Sequence, residues 1–228
     1  ALNNLSLVHQ HRGDFAAAER CAREAHQIEE ALVKAGWNRR PNAATALVNL
    51  AAAQLLQGHA REAEPRFREA VAIHEALSGN EAPITQTVRN NLASALRSLG
   101  RYQEAIELIG KVQEIRRRTL PEGHFETATG DMNMAQALLA AGRPLDALEC
   151  ARRGLTSNER SLGERHQDTG RARSIVASVL DALGQSDEAG RQAETACADI
   201  TAQLGGGHIR VADALVVLST VARHRGEA

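Results

Sequence analysis

Apolar side chains recur every three or four residues through most of the 228-residue chain, which is the spacing of one face of an α-helix. In the best-defined stretch, one apolar face comprises Val88, Leu92, Leu96 and Leu99. After a short interruption, a second face comprises Ala105, Leu108, Ile109, Val112 and Ile115. No stretch alternates apolar and polar residues with a period of two. The pattern therefore predicts paired helices and no β-sheet.

The helical stretches are interrupted by a glycine that recurs with a nearly constant period and is followed five residues later by an alanine. The pairs are Gly13/Ala18, Gly58/Ala63, Gly100/Ala105, Gly142/Ala147 and Gly184/Ala189. The first two glycines lie 45 residues apart and the later ones 42 apart, with Gly226 another 42 residues on. A period of roughly 20–50 residues is typical of repeat proteins. We therefore expect helix hairpins in which the glycine ends the first helix and the alanine marks the helix crossing.

This repeat resembles the tetratricopeptide repeat over essentially the whole chain. That family usually has a period of about 34 residues, and the longer period here resembles its kinesin-light-chain-like subtype. The subtype's loop motif, roughly Leu-Gly-x-x-His-x-x-Thr-Ala, is echoed at Leu120 to Ala128, Leu162 to Gly170 and Leu204 to Ala212. The aspartate and proline that flank the histidine in that subtype are missing.

The resemblance implies an all-α fold, a right-handed superhelical solenoid of antiparallel helix pairs. We expect one repeat domain over residues 1–228, with about five and a half repeats. The expected repeats are residues 1–43, 44–85, 86–127, 128–169, 170–210 and, as the first helix of a sixth, 211–228.

Composition and charge narrow the class of protein. Apolar residues make up 43% and charged residues 24%, and the net charge is −1, so we expect no bulk attraction to nucleic acid or to a membrane surface. No apolar run approaches the ~18 residues of a membrane-spanning helix, and no signal peptide is visible. The three cysteines, Cys21, Cys150 and Cys197, are interpreted as buried reduced thiols of a cytoplasmic protein. Because the sequence begins without Met, we expect it to be part of a longer protein.

In a tetratricopeptide superhelix the first helix of each repeat lines the inner groove, and residues spaced i, i+4, i+7 share a face. One asparagine per repeat falls on this face, giving the asparagine ladder Asn4, Asn49, Asn91 and Asn133. An amide donates and accepts hydrogen bonds, so such a ladder can pair with the backbone of an extended peptide. Kinesin-light-chain-like proteins are similar in holding peptides this way. The alternative is that these asparagines bridge neighbouring helices within the scaffold.

Further residues of the same helices complete the predicted ligand-binding groove: Thr45, Thr87, Thr129, Asn90, Ser94, Arg97 and Gln136. Arg97 and Asn90 are placed to recognise an acidic or polar group. In the last two repeats the ladder position holds Ile175 and Val217 instead. We interpret these two residues, together with Val216, as a place for a hydrophobic anchor of the ligand.

Other motifs have structural interpretations. His124, His166 and His208 recur 42 residues apart and are expected to cap the loops between repeats. The run 116–118 of three arginines is more typical of a solvated helix end than of a nucleic-acid patch, since no aromatic residues interleave with it. Trp37 is expected to cover the edge of the first repeat, with a partner contact as the alternative.

No arrangement of residues typical of catalysis is visible. The sequence has no nucleophile elbow and no zinc-protease motif, and the glycines at 205–207 lack the Lys-Ser/Thr of a phosphate-binding loop. We therefore predict a protein that is not an enzyme and needs no cofactor and no metal.

These observations predict a scaffold that binds a protein or peptide partner. Its Ala- and Arg-rich repeats resemble those attached to bacterial signalling proteins, so we expect the recognition or regulatory arm of a larger bacterial signalling protein. The alternative is a self-association module. The last helix, about Val211 to His224, is too apolar for a solvating cap, and a homo-oligomer through this helix is the form that the alternative predicts.

Overall fold

The computed structural model describes residues 1–38 and 40–226. Within these residues it contains eleven α-helices and no β-strand, as predicted. The helices are α1 (Leu2–His11), α2 (Phe15–Lys34), α3 (Arg40–Leu56), α4 (Ala60–Ser78), α5 (Pro83–Ser98), α6 (Tyr102–Thr119), α7 (Phe125–Ala140), α8 (Pro144–Leu162), α9 (Gln167–Ala182), α10 (Ser186–Leu204) and α11 (Ile209–His224). None of these helices is long and apolar enough to cross a membrane.

Contacts within the chain divide it into two compact units, Ala1–Leu108 and Ile109–Ala228, and the boundary falls within α6. In the first unit each helix from α1 to α5 packs on the next, and α3 also contacts α1 and α5. In the second unit α7 to α11 pack in the same succession, and α9 also contacts α7 and α11. Each unit is therefore built from helix pairs whose first helices lie side by side.

The turn inside each pair is formed as the sequence predicts. After α5, Gly100 has a φ of 77°. Its N–H donates to the carbonyl of Arg97 over 3.0 Å, and the N–H of Arg101 donates to the carbonyl of Leu96 over 2.9 Å. These two bonds form a Schellman motif, which satisfies the last carbonyls of the helix and requires a left-handed residue at the glycine. The other turn glycines, Gly13, Gly58, Gly142, Gly184 and Gly226, also have positive φ.

Small side chains hold the helices of each pair together. The alanines that follow the turn glycines, Ala18, Ala63, Ala105, Ala147 and Ala189, are all completely buried. An alanine at a helix crossing lets the two backbones approach closely while removing apolar surface from water. Larger core residues such as Phe67, Ile109 and Leu180 fill the spaces between these close approaches.

The loop histidines cap the helices that follow them, which confirms their predicted structural role. Nδ1 of His124, His166 and His208 accepts a hydrogen bond from the backbone N–H two residues later, over 3.1–3.2 Å. These histidines are the N-cap residues of α7, α9 and α11. Each cap satisfies one of the backbone N–H groups that a helix N-terminus leaves without an intrahelical partner.

Two sequence interpretations are wrong. Trp37 is 65% exposed, so it does not cover the edge of the first repeat. Arg116 is only 3% exposed. Its guanidinium lies 3.2 Å from the carboxylate of Glu126 and donates to the carbonyl of that residue over 2.9 Å. The arginine run is therefore not a solvated face throughout.

The expectation of three buried thiols holds for one of them. Cys150 is buried, whereas Cys21 and Cys197 keep part of their surface, and all three are free thiols. Burial raises the pKa of the Cys150 thiol, opposed by the nearby Arg153 guanidinium.

Candidate functional site

The face predicted on α5 is the side of that helix that remains accessible. Thr87, Asn91 and Ser94 are partly exposed and Ser98 is exposed. The rest of the helix is largely enclosed, with Thr85, Gln86, Val88, Asn90, Leu92, Ala93, Ala95 and Leu96 buried. Because α5 presents this polar strip, a ligand that approached the first helices of the first unit would meet hydroxyl and amide groups.

The second unit presents a similar strip on α7. Thr129, Asn133 and Gln136 are partly exposed, whereas seven other residues of the helix are buried. On α9, Ile175 is only 6% exposed, so it offers no surface for a hydrophobic anchor. In the middle of α9 the accessible residues are Arg171, Ser174 and Ser178 instead.

The polar strip therefore continues onto α9, which sequence reasoning missed. The signal was the spacing of Ser174 and Ser178, which matches the polar spacing on α5. Ile175, which occupies the ladder position of α9, is buried, and the accessible Ser174 lies one residue before it.

The remaining predicted site residues differ in exposure. Asn4 on α1 and Thr45 on α3 are exposed. Asn49 and Asn90 are only 8% and 5% exposed, and no described residue pairs with the buried Asn49 Nδ2 or Asn90 Oδ1. These two amides present little surface to a ligand in this conformation.

The hydroxyl and amide groups of the strip differ in their hydrogen bonds. The Thr45, Thr87 and Thr129 hydroxyls each donate to the carbonyl four residues earlier, over 2.9–3.0 Å. In contrast, the side chains of Asn91 and Asn133 form no hydrogen bond with any residue that the structure describes. The threonines can therefore only accept a further bond, while both amides keep their donors and their acceptor.

Arg97, which lies on α5 with the first-unit strip, is a partly buried cation without a counterion. Among the described residues it has neither a hydrogen bond nor an ion pair. Burial lowers the pKa of its guanidinium, and the nearby Tyr102 opposes that shift. Other buried arginines are paired: Arg173 lies 2.8 Å from Glu159 and 2.9 Å from Asp199. Because removing an unpaired charge from water is unfavourable, a ligand carboxylate at Arg97 would be stabilising.

The strips of the two units thus offer amides and hydroxyl acceptors, and the first-unit strip adds Arg97, a cation that no described residue pairs. In the part of the chain that the structure describes, no three His, Cys, Asp or Glu side chains are grouped as a metal site requires. Groups of the kind present here suit recognition by hydrogen bonds and charge.

Comparison with known sequences and structures identifies the repeat. A family model of the tetratricopeptide repeat matches residues 1–76 and 126–199, and a second tetratricopeptide repeat model matches residues 85–126. No curated protein sequence matches the chain significantly.

Several solved structures have the same fold. A kinesin-light-chain-type protein of Podosopora anserina with nearly identical TPR-like repeats is 24% identical, covers 89% of this chain and 95% of its own, and has a TM-score of 0.66. BtubC from P. vanneervenii is 19% identical over 91% of this chain and 83% of its own, with a TM-score of 0.70. PlcR of Bacillus thuringiensis, solved with a peptide and DNA, is 11% identical over 96% of this chain and 72% of its own, with a TM-score of 0.67.

At these identities the likeness establishes the fold. The helix pairs, the 42-residue period and the matched family models agree with one another. The chain belongs to the tetratricopeptide repeat family, and its helix pairs have the same fold as the TPR-like repeats of the kinesin-light-chain-type protein.

Proposed function

We propose that the chain is a protein-interaction module that binds an extended peptide segment of a partner along the first helices of its repeats. The observation that carries this proposal is that the side-chain amides of Asn91 and Asn133 are partly exposed and have no hydrogen-bond partner among the described residues. An amide that bridged two helices would have its hydrogen bonds occupied, so the free amides favour ligand binding over a scaffold role.

In the first unit, the proposed site consists of Thr87, Asn91, Ser94 and Arg97 on α5, with Thr45 and Asn4 on the neighbouring first helices. The Asn91 amide pairs with the backbone of the ligand, which places few demands on the ligand sequence. The Arg97 guanidinium adds selectivity, because it gains a carboxylate that the chain itself does not supply. Asn49 and Asn90 join the site only if the helices around them move, since both are buried.

In the second unit, the proposed site consists of Thr129, Asn133 and Gln136 on α7, with Ser174 and Ser178 on the adjacent α9. The two serine hydroxyls donate within α9, to the carbonyls of Gly170 and Ser174 over 3.3 and 3.0 Å. Their oxygens therefore remain as acceptors for N–H groups of a peptide, while Asn133 supplies both donors and an acceptor.

The free energy of each hydrogen bond limits the affinity that such a site can reach. One net hydrogen bond contributes about 0.5–1.5 kcal/mol, so two or three amide bonds alone give weak binding after the peptide has been ordered. A charge pair at Arg97 raises both affinity and selectivity. We therefore expect acidic peptides to bind the first unit more tightly than neutral ones.

The solved structure of PlcR with a peptide supports this class of function, since PlcR shares the fold. We further propose that the chain serves as the recognition or regulatory arm of a larger bacterial signalling protein in the cytoplasm. The Ala- and Arg-rich repeats support that assignment by their resemblance to the repeats of such proteins.

The test is capture of peptides from a random array by the wild-type chain, by Asn91→Ala and by Asn133→Ala. Each variant should lose the peptides that its own unit binds, while its helical circular dichroism stays unchanged. Asn38→Ala is a matched control, because Asn38 is exposed and lies in the loop before α3, outside the strip. Retention of all captured peptides by both ladder variants would refute the proposal.

A second candidate function is self-association, favoured by the exposed apolar surface of α11. Leu215 is 48% and Val216 63% exposed, and adjacent exposed apolar residues are typical of interaction surfaces. Sedimentation should then show association that increases with concentration in the wild type and is abolished in Val216→Lys. A monomeric wild type at high concentration excludes this candidate.

A further inference from the structure

A cavity of about 890 Å³ lies in the second unit, between the C-terminal part of α6, the loop after it and α8. We call it the arginine pocket, after the four arginines in its lining, Arg117, Arg152, Arg153 and Arg160. Its volume is within the range of roughly 300–1,000 Å³ that is usual for ligand pockets. Thr129, Asn133 and Gln136 do not line it. The arginine pocket is therefore separate from the peptide site proposed on α7 and α9.

The inner end of the arginine pocket is formed by a buried carboxylate that two arginines share. Asp131 is 4% exposed. Its Oδ1 accepts from Arg117 over 3.0 Å and from Arg153 over 3.1 Å. Arg153 also donates to Glu149 over 2.9 Å. Because a guanidinium carries five N–H donors, Arg117 keeps donors that can bind another carboxylate at the mouth of the pocket.

The outer arginines have few partners of their own. Arg160 forms no hydrogen bond or ion pair with any residue that the structure describes. Arg152 has one long contact, 3.8 Å from Glu188. The lining holds three carboxylates, on Glu122, Asp131 and Glu149, against four guanidinium groups. The pocket is thus complementary in charge to an acidic ligand.

Apolar surface lies beside these charges. Leu145, in the first turn of α8, is 74% exposed and lines the pocket together with Leu120 and Leu148. A leucine exposed to this extent among arginines is typical of protein interfaces, in which arginine and apolar residues surround the buried centre. A small inorganic anion would not cover this apolar surface, whereas a peptide segment with an apolar side chain would.

We infer that the arginine pocket binds an acidic segment of a partner protein, in which a carboxylate pairs with Arg160 and Arg117 and an adjacent apolar side chain covers Leu145. Arg117 and Arg153 are held in place by Asp131, and Asp131 is held by Gln113, whose Nε2 donates to it over 2.9 Å. A guanidinium and a carboxylate can pair through two parallel hydrogen bonds, which fixes the orientation of the bound carboxylate.

The probe for this site is a fluorescein-labelled peptide of alternating glutamate and leucine, measured by fluorescence anisotropy, with a lysine–leucine peptide of equal length for comparison. The wild-type chain should bind the glutamate peptide at least about tenfold more tightly than the lysine peptide. Higher salt should weaken that binding. Arg160→Glu and Leu145→Ser should each weaken it by about tenfold or more. Both side chains are accessible, so neither change disturbs the core.

Two controls separate this site from the rest of the molecule. Arg191→Glu removes an exposed arginine of α10 that does not line the pocket, and it should leave the affinity unchanged. The comparison of wild type with Arg160→Glu is also made in a chain that carries Asn91→Ala, Arg97→Gln and Asn133→Ala, which lacks the groups proposed to hold peptides on α5 and α7. The loss of affinity caused by Arg160→Glu should persist in that chain.

Several results would overturn the inference. These are equal binding of both peptides, no binding of the glutamate peptide at about 1 mM, and unchanged affinity in Arg160→Glu and Leu145→Ser. Competition by a single-stranded oligonucleotide as strong as that by the glutamate peptide would overturn it too, because it would indicate general attraction of polyanions.

Discussion

Gln113 donates a hydrogen bond from its Nε2 to the carboxylate of Asp131 over 2.9 Å, and both side chains are buried. The same nitrogen donates to the Thr127 carbonyl over 3.0 Å. Arg117 of α6 and Arg153 of α8 reach the same carboxylate. One buried group on α7 therefore ties together three consecutive helices of the second unit.

This relationship depends on the glycine beside Asp131. A Cβ at Gly130 would lie 2.2 Å from Oε1 and 2.4 Å from Cδ of Gln113. Gly130→Ala therefore displaces the Gln113 amide from its two acceptors. We expect a loss of about 1–3 kcal/mol in the free energy of unfolding, measured by urea denaturation.

Gly110 on α6 supplies the matched control. A Cβ there would meet Met134 at 4.0 Å, which is ordinary van der Waals contact. Gly110→Ala should therefore stabilise the chain by about 0.5–1 kcal/mol through helix propensity. If both substitutions shift stability in the same direction, the Gln113–Asp131 pair does not have the stabilising role described for it.

The histidine cap of α9 gives a second prediction. His166 Nδ1 accepts from the backbone N–H of Asp168 over 3.2 Å. His166→Ala removes the acceptor and should lower stability by about 1 kcal/mol. His166→Asn should retain most of the stability that the cap provides, because asparagine is a preferred N-cap residue. Thermal denaturation of the two variants measures the difference, and equal losses would show that the imidazole acts by packing.

The turn glycines give a third prediction. Gly184 has a φ of 74°, and a Cβ added to it would have no atom within 4 Å, so alanine there is disfavoured by backbone conformation alone. Gly184→Ala should lower stability by about 1–2 kcal/mol. Gly206 lacks positive φ and has equally open surroundings, so Gly206→Ala should change stability by less than about 0.5 kcal/mol. Chemical denaturation of the pair isolates the backbone effect.

A buried histidine on α4 predicts a dependence of stability on pH. Burial lowers the pKa of His74 below its ordinary value of 6.5. Between that lowered pKa and 6.5 the unfolded chain binds the proton and the folded chain does not. Stability should therefore fall as the pH falls below about 6.5, with a slope from this residue of at most about 1.4 kcal/mol per pH unit.

The measurement is the free energy of unfolding at several pH values for the wild type and for His74→Gln. The variant should show a shallower decrease towards acid. His59→Gln, measured alongside, shows the effect of losing an exposed histidine. A slope in His74→Gln identical to that of the wild type would remove His74 as the cause.

The sequence predicted those features that the repeat places at fixed positions. The turn glycines, the crossing alanines and the capping histidines recur because each pair of helices needs the same turn, the same close approach and the same cap. Their roles follow from local backbone chemistry, so one repeat is enough to recognise the others.

The accessible face of each first helix was harder to predict. Asn49 and Ile175 occupy the ladder position and are buried, whereas Ser174, one residue before Ile175, is accessible. Adjacent residues of a helix point about 100° apart, so a small rotation of α3 or α9 decides which of them faces solvent. Packing of neighbouring helices sets that rotation, and the period of the sequence does not report it.

Charge pairing between distant residues was also beyond the sequence. The burial of Arg116 depends on Glu126, and the arginine pocket depends on Asp131 joining Arg117 to Arg153 across three helices. Whether Arg97 has a counterion likewise depends on which acidic side chains the fold brings close to it.

The central claim is that free asparagine amides on the first helices pair with the backbone of a bound peptide. Its most direct test uses a peptide captured by the array and the same peptide with alternate backbone nitrogens methylated, measured by isothermal titration calorimetry. Methylation should weaken binding to the wild type by about tenfold or more, and should have little further effect in the asparagine variant that has already lost the amide pairing. Equal affinity of the wild type for the two peptides would contradict the claim.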